Sequence, residues 1–153
     1  TETRGTGIMN RVFHSYEDIS GSIPGRRTGV LISNSAGKCV PYALQNLEER
    51  GSLMIKSGAQ VYSGMVIGEH SRGNDLEVNP IKTKQLTNFR ASGKDDAVIL
   101  TPPKRLNLEQ AIAYINDDEL VEITPNNIRL RKRYLDPHIR KRVRRSAVTE
   151  NSR

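Results

Sequence analysis

Short apolar runs, most of them ended by glycine, proline or a polar cluster, limit what this 153-residue chain can fold into. Gly58, Gly64 and Gly68 punctuate one region, and Pro102 follows the apolar run Ala97–Leu100. None of the runs approaches the roughly 20 apolar residues that a transmembrane helix requires. Short runs between turn residues are typical of strands. The pattern predicts an α+β fold that is rich in short strands and has two or three helices.

Strands are predicted where β-branched or alternating apolar residues lie between turn signals. Residues 28–34 and 39–40 are expected to form a hairpin around Gly37, and residues 120–124 and 128–133 are expected to form a second hairpin. The other predicted strands comprise residues 12–16, 61–62, 65–67, 76–78 and 97–100.

The sequence also predicts three helices. Pro41 is expected to open the first, which ends at Gly51 as a cap residue. The second, at residues 108–115, begins with the form of a capping box. The third is a short basic helix over residues 136–145, and residues 146–153 are predicted to be a disordered tail.

Positive charge is concentrated near the end of the chain. The formal net charge is +7, and residues 129–145 hold nine of the 24 Lys and Arg residues against one acid, Asp136. In the predicted strand, Arg129, Arg131 and Arg133 occupy alternate positions, which places three guanidinium groups on one solvent face. Such a distribution favours an anionic partner, which is a nucleic acid, an acidic protein or an anionic membrane surface.

A second basic stretch, Asn79–Lys94, lies between two predicted strands and contains no Asp or Glu. It combines cations that can neutralise phosphates with polar side chains and one ring, as RNA contact requires. A long polar loop in a compact domain is usually functional or disordered, so RNA contact and a solvated loop both remain open. The candidate RNA-binding residues are Lys82, Lys84, Gln85, Thr87, Asn88, Phe89, Arg90, Ser92 and Lys94 in this loop, and Arg129, Arg131 and Arg133 in the basic strand.

The sequence contains no recognisable catalytic or metal-binding arrangement. Its three histidines are scattered, and the lone Cys39 leaves no intrachain disulfide framework and favours a reducing compartment. Residues 69–75, which include His70, are predicted to form a polar turn, and the acidic residues 117–119 are predicted to be solvated. We therefore expect no enzymatic activity, no metal and no cofactor in this chain.

Five stretches share their order and residues with one family: Thr1–Asn10, Ile23–Arg27, Gly68–Arg72, Leu86–Gly93 and Ile128–Leu135. Together they resemble the C-terminal part of the TypA/BipA family, the ribosome-binding translational GTPases related to elongation factor G and LepA. The resemblance covers the chain up to about Arg145. Because Thr1–Arg4 reads like the interior of an element, the chain is expected to be a fragment of a longer protein.

The resemblance implies three parts. Residues 1–19 would be the last helix and strand of the elongation-factor-G-like fifth domain, a ferredoxin-like α/β unit cut in the middle. Residues 20–139, which begin at the Gly/Ser/Pro-rich stretch 20–27, would be the C-terminal domain peculiar to the family. Residues 140–153 would be a basic tail, partly disordered. The GTPase domain, with its GTP and Mg²⁺, would lie upstream of this chain.

The resemblance also implies partners. The domain would bind the ribosome, and the loop that corresponds to Asn79–Lys94 would contact large-subunit rRNA and the end of the A-site tRNA. The implied protein is a cytoplasmic monomer with roles in large-subunit assembly and the stress response, and with no membrane partner. The residues alone leave one alternative, a module that binds an anionic membrane or an acidic protein through the basic C-terminal helix. Ile139 and Val143 would give that helix only a narrow apolar face.

Overall fold

The computed structural model describes residues 7–8, 10–18, 26–83 and 98–150, with side chains up to Ser146. These residues form three helices and eight strands in an α+β arrangement, which confirms the predicted fold class. The elements are β1 (Val30–Ser33), β2 (Gly37–Lys38), α1 (Pro41–Glu48), β3 (Gly51–Leu53), β4 (Gln60–Val61), β5 (Met65–His70), β6 (Leu76–Val78), α2 (Leu108–Tyr114), β7 (Glu119–Thr124), β8 (Asn127–Lys132) and α3 (Pro137–Glu150).

Six of the strands form one sheet in which β1 and β5 are central. The order is β6-β1-β5-β8-β7, with β3 also paired to β5, and β1 runs parallel to β6 but antiparallel to β5. β2 and β4 form a separate two-stranded ladder. The predicted hairpin between residues 28–34 and 39–40 is therefore wrong. β5 and β6 pair with the two edges of β1, so β1 has no free edge for residues 39–40, and β2 pairs with β4 instead.

Alternate residues of the central strands build two hydrophobic cores on opposite faces of the sheet. Leu31 and Ile67 belong to the first core, to which α1 contributes Leu44. Val66 belongs to the second core, to which α2 contributes Ala111. Because both faces are covered, successive residues of these strands can all be hydrophobic. This explains the short apolar runs of the sequence.

The first helix begins at Pro41, as predicted, because the fixed φ of proline suits the first helical position. The helix ends at Glu48, and Gly51 begins β3 instead of capping the helix. A Cβ atom at Gly51 would lie 1.9 Å from the carbonyl oxygen of Glu69. Glycine is required here because the backbone of β3 approaches that of β5 so closely.

The second helix and the second predicted hairpin are confirmed. Asn107 Oδ1 accepts a hydrogen bond from the Gln110 N–H at 2.8 Å, and Gln110 Oε1 accepts one from the Asn107 N–H at 3.0 Å, which completes the capping box. β7 and β8 pair along their whole length and turn at residues 125–126. Ala111 is the buried residue of α2, whereas Leu108 and Ile112 are exposed.

The third helix is longer than predicted. It continues to Glu150, so residues 146–150 are helical and not a disordered tail. No glycine or proline interrupts residues 138–150, and most of these residues are good helix formers. Residues 151–153 lie outside the described part of the chain.

Two predicted strands are not formed. Residues 10–18 adopt neither helix nor strand, and the exposed rings of Phe13 and Tyr16 contact each other edge to face. Residues 98–100, the described part of the second segment, are in no strand, and the N–H of Thr101 donates to the Glu48 carboxylate at 2.7 Å. An apolar run becomes a strand only where a neighbouring edge accepts its hydrogen bonds, and these segments meet none among the described residues.

Candidate nucleic-acid interface

The basic hairpin β7–β8 is joined to a buried ionic cluster, defined as Arg26, Asp75, Asp118, Glu119 and Lys132. The Glu119 carboxylate accepts hydrogen bonds from both terminal nitrogens of Arg26, at 2.8 and 2.9 Å. Lys132 Nζ lies 2.9 Å from the same carboxylate, 2.7 Å from Asp118 and 2.6 Å from Asp75. Glu119 and Lys132 are each only 2% exposed. The cluster therefore compensates its buried charges with partners from four separate segments.

Sequence reasoning missed this cluster. The prediction that residues 117–119 are solvated is wrong for Glu119, because β7 begins there and pairs it with Lys132 across the sheet. The signal was present in β8, since the alternation that turns Arg129 and Arg131 to one face turns Lys132 to the other. An ammonium group on the buried face requires acidic partners.

Tyr114 connects the ionic cluster to α2. The Arg26 guanidinium lies 4.6 Å from the centroid of its ring, and the Lys104 ammonium lies 5.5 Å from it. Burial raises the pKa of Tyr114 to about 12. Its hydroxyl is buried without a hydrogen-bond partner among the described residues. Arg26, which belongs to the Gly/Ser/Pro-rich stretch 20–27, is thus packed against both α2 and β7.

Acid should weaken the fold through Glu119. Burial favours the neutral acid, but hydrogen bonds from Arg26 and Lys132 outweigh burial and hold the pKa of Glu119 below its ordinary value of 4.5. A carboxyl group whose pKa is lower in the folded state stabilises the protein at neutral pH, and the contribution is lost as the pH falls through the folded pKa. Urea unfolding between neutral pH and about pH 3 should show this loss. Glu119→Gln should make the pH dependence shallower, and an unchanged dependence would contradict the assignment.

The opposite face of β8 presents the arginines that the sequence singles out. Arg129 lies 3.6 Å from Glu122, whose carboxylate also accepts a hydrogen bond from the Tyr62 hydroxyl. Burial and this hydrogen bond raise the pKa of Tyr62. Arg129 and Arg131 are half-buried, and Arg133, which follows the strand, is exposed. Arg129 and Arg131 therefore lie on one face of β8, but that face is less open than predicted.

Helix α3 adds a second row of cations. Arg140 holds its first turn in place by donating to the carbonyl oxygens of Tyr134 and Leu135, at 2.8 and 2.7 Å, and to Glu77 at 3.0 Å. On another side of the helix a shallow groove is lined by His138, Lys141, Arg142, Arg145 and Ser146. Positions 138, 141, 142 and 145 are spaced i, i+3, i+4 and i+7, which places them on one helical face.

The predicted RNA-binding loop is described only at its start. Pro80 is buried, and its carbonyl oxygen accepts a hydrogen bond from the N–H of Val40 at 3.1 Å. The Asn79 side chain accepts from the N–H of Ile81 at 3.0 Å, and Lys82 is exposed. The remaining loop candidates lie outside the described residues: Lys84, Gln85, Thr87, Asn88, Phe89, Arg90, Ser92 and Lys94.

Glu69 and His70 of the predicted polar turn make structural contacts. Glu69 and His70 belong to β5 and not to a turn, and the predicted polar turn is limited to residues 71–74. Glu69 binds Thr28 and Lys104, and the buried His70 ring contacts the Asn74 carbonyl oxygen. In residues 26–83 and 98–146, and in the described N-terminal residues, no three potential ligands are grouped to hold a metal ion. No helix of the described chain is long and apolar enough to cross a membrane.

Comparison with known proteins identifies the family. The model of the TypA/BipA C-terminal domain matches residues 28–137. Proteins named "Large ribosomal subunit assembly factor BipA" are 52% identical in Haemophilus influenzae, over 99% of this chain, and 53% identical in Buchnera aphidicola, over 96%. The chain spans 25% and 24% of the length of these two curated relatives. The resemblance in the sequence is therefore confirmed, and the chain belongs to the TypA/BipA C-terminal domain family.

Proposed function

We propose that this chain is the RNA-binding C-terminal domain of a ribosome assembly factor and that it contacts the RNA of the large ribosomal subunit. The observation that carries the proposal is the row of cations on β8 and α3. The buried pair Lys132–Glu119 holds β8 in place, and the hydrogen bond from Arg140 to Glu77 holds α3 in place. Relatives that are 52% identical are named large ribosomal subunit assembly factors. Ribosomal RNA presents the dense phosphate charge that such a surface attracts.

Two surfaces of the domain contact RNA in this proposal. The α3 face and Arg129, Arg131 and Arg133 neutralise phosphates, since arginine matches their geometry with paired donors. The loop Asn79–Lys94 contributes Lys82, its other cations and the ring of Phe89 to contacts with large-subunit rRNA and with the A-site tRNA. In this proposal the loop contacts unpaired nucleotides, because single-stranded RNA is recognised by stacking and by polar side chains.

The chain acts within a longer protein in this proposal. Residues 1–19 complete a preceding elongation-factor-G-like domain, and the exposed apolar side chains of Ile8 and Val12 support a packing partner outside this chain. A GTPase domain upstream carries GTP and Mg²⁺, so the present residues bind RNA and perform no hydrolysis. The whole protein works in the cytoplasm as a monomer on the ribosome.

Binding to purified large ribosomal subunits across a salt series tests the proposal. One variant changes the loop residues Lys82, Lys84, Arg90 and Lys94 to Ala, and another changes Arg129, Arg131 and Arg133. Each lost phosphate contact should flatten the slope of log affinity against log salt by about 0.7–0.9. Both variants should bind more weakly and with shallower slopes than the unmodified chain.

A matched control loses the same charge elsewhere. It changes the exposed residues Arg11, Lys38, Arg50 and Arg72 to Ala. This control should leave the salt slope nearly unchanged. If it weakens binding as much as the loop variant does, the attraction is a general effect of net charge and the assigned surfaces are wrong. If neither test variant changes binding, RNA contact through the loop and through Arg129, Arg131 and Arg133 is excluded.

A further inference from the structure

One face of the β7–β8 hairpin changes from charged to apolar along its length. Its first cross-strand pair is Glu119 with Lys132, which the ionic cluster encloses. The second is Val121 with Leu130, which packs in the second core beside α2. The third is Ile123 with Ile128, and these side chains are 62% and 41% exposed. The ionic cluster and helix α2 therefore cover two of the three pairs and leave an apolar end open.

This open end lines a groove of about 890 Å³. The groove is bounded by the hairpin tip, by residues 103–106 before α2 and by the segment that follows β3. Its buried wall consists of Met65, Val66, Ala111 and Leu130. The described residues that line the groove include no aromatic side chain and no Asp or Glu.

The charged residues that the structure describes at the groove are all cations. Lys104 is paired with Glu69 at 2.8 Å, and Arg129 lies near Glu122. Lys56 and Arg105 are exposed and have no ion-pair partner among the described residues. An apolar groove with two uncompensated cations at its margin is complementary to a ligand that is both apolar and negatively charged.

We propose that this groove binds an extended acidic segment of a partner protein. Apolar side chains of the segment enter beside Ile123 and Ile128, and its carboxylates meet Lys56 and Arg105. Met54 and Met65 adapt to different side chains because methionine is flexible.

The features of the groove favour a peptide over RNA. Bases are recognised by stacking, most often on aromatic rings, and the described residues that line this groove include no aromatic ring. The interaction goes beyond the proposed function, because Lys56 and Arg105 are not among the residues assigned to RNA. Of the three arginines assigned to RNA, Arg129 is the one that also lines the groove, among the described residues.

Fluorescence anisotropy with defined peptides tests the proposal on the 153-residue chain. The probe is a short labelled peptide of alternating Leu and Glu. One comparison peptide replaces every Glu with Lys, and another replaces every Leu with Ser. We expect the Leu–Glu peptide to bind at least about tenfold more tightly than either, since groove binding requires both properties. Equal binding of the Ser–Glu peptide would overturn the proposal, because it would show a general attraction to a basic protein.

Variants locate the binding. Ile128→Asp should weaken the Leu–Glu peptide about tenfold, whereas Ile112→Asp, at an exposed apolar position outside the groove, should not. Lys56→Glu with Arg105→Glu should reverse the preference toward the Leu–Lys peptide, which a merely unfolded variant would not do. Equal effects of the two Asp variants would overturn the proposal. So would poly(U) binding that Ile128→Asp alone abolishes, since the groove would then be an RNA site.

Discussion

Replacing Glu119 with Ala should lower the free energy of unfolding by about 3–5 kcal/mol, because the change leaves a buried cation without its carboxylate. The Arg26 side chain is only 6% exposed and donates to Glu119 with both terminal nitrogens. Lys132 keeps its contacts with Asp75 and Asp118. Most of the lost stability therefore comes from Arg26, which stays buried without its carboxylate. Urea unfolding at neutral pH measures the effect.

Two further variants provide the comparison for this loss of stability. Glu77→Ala removes a carboxylate from a more exposed ion pair with Arg140, and it should cost less than about 1 kcal/mol. Replacing Arg26 with Met together with Glu119→Leu removes both charges of the Arg26–Glu119 pair, and it should recover a large part of the stability lost in Glu119→Ala. If Glu119→Ala costs no more than Glu77→Ala, the ionic cluster does not hold the hairpin in place.

Replacing Gly51 with Ala should cost about 3 kcal/mol or more, because the new methyl group has no room. Its Cβ would lie 1.9 Å from the carbonyl oxygen of Glu69, and this atom belongs to the backbone of β5, which cannot rotate away. Strands β3 and β5 would have to separate, at the cost of their hydrogen bonds. Thermal or urea unfolding of the purified variant measures the change.

Gly58→Ala is the matched control for this substitution. Gly58 has a φ of +79°, and its added Cβ would meet only the flexible end of Lys38, at 3.4 Å. The left-handed conformation by itself costs about 1–2 kcal/mol with a side chain present. A Gly51→Ala variant as stable as Gly58→Ala would show that β3 does not approach β5 as closely as described.

Local signals predicted several elements well. Asn107 and Gln110 satisfy each other within one turn, so the start of α2 depends on residues that are adjacent in the chain. The β7–β8 hairpin likewise joins two alternating segments across a two-residue turn. Such elements are predictable because their hydrogen bonds close over a few residues.

Long-range pairing explains the failures. Residues 28–34 and 39–40 look like a hairpin, yet β1 pairs with β5 and β6, which lie more than 30 residues away in the sequence. Gly51 looks like a helix cap, yet its role depends on Glu69 in another strand. In the candidate interface, the alternation in the sequence identified Arg129, Arg131 and Arg133. It did not reveal that Arg129 lies near Glu122.

The residues by themselves determined the fold class, the family and the concentration of positive charge at residues 129–145, because composition, motifs and alternation are properties of the chain read in order. Tertiary structure alone decided that Glu119 pairs with both Arg26 and Lys132, and that α2 leaves Ile123 and Ile128 uncovered. The physical reason is that burial and charge compensation depend on which distant segments become neighbours. Short-range patterns set the face on which a side chain lies, and packing sets what it meets there.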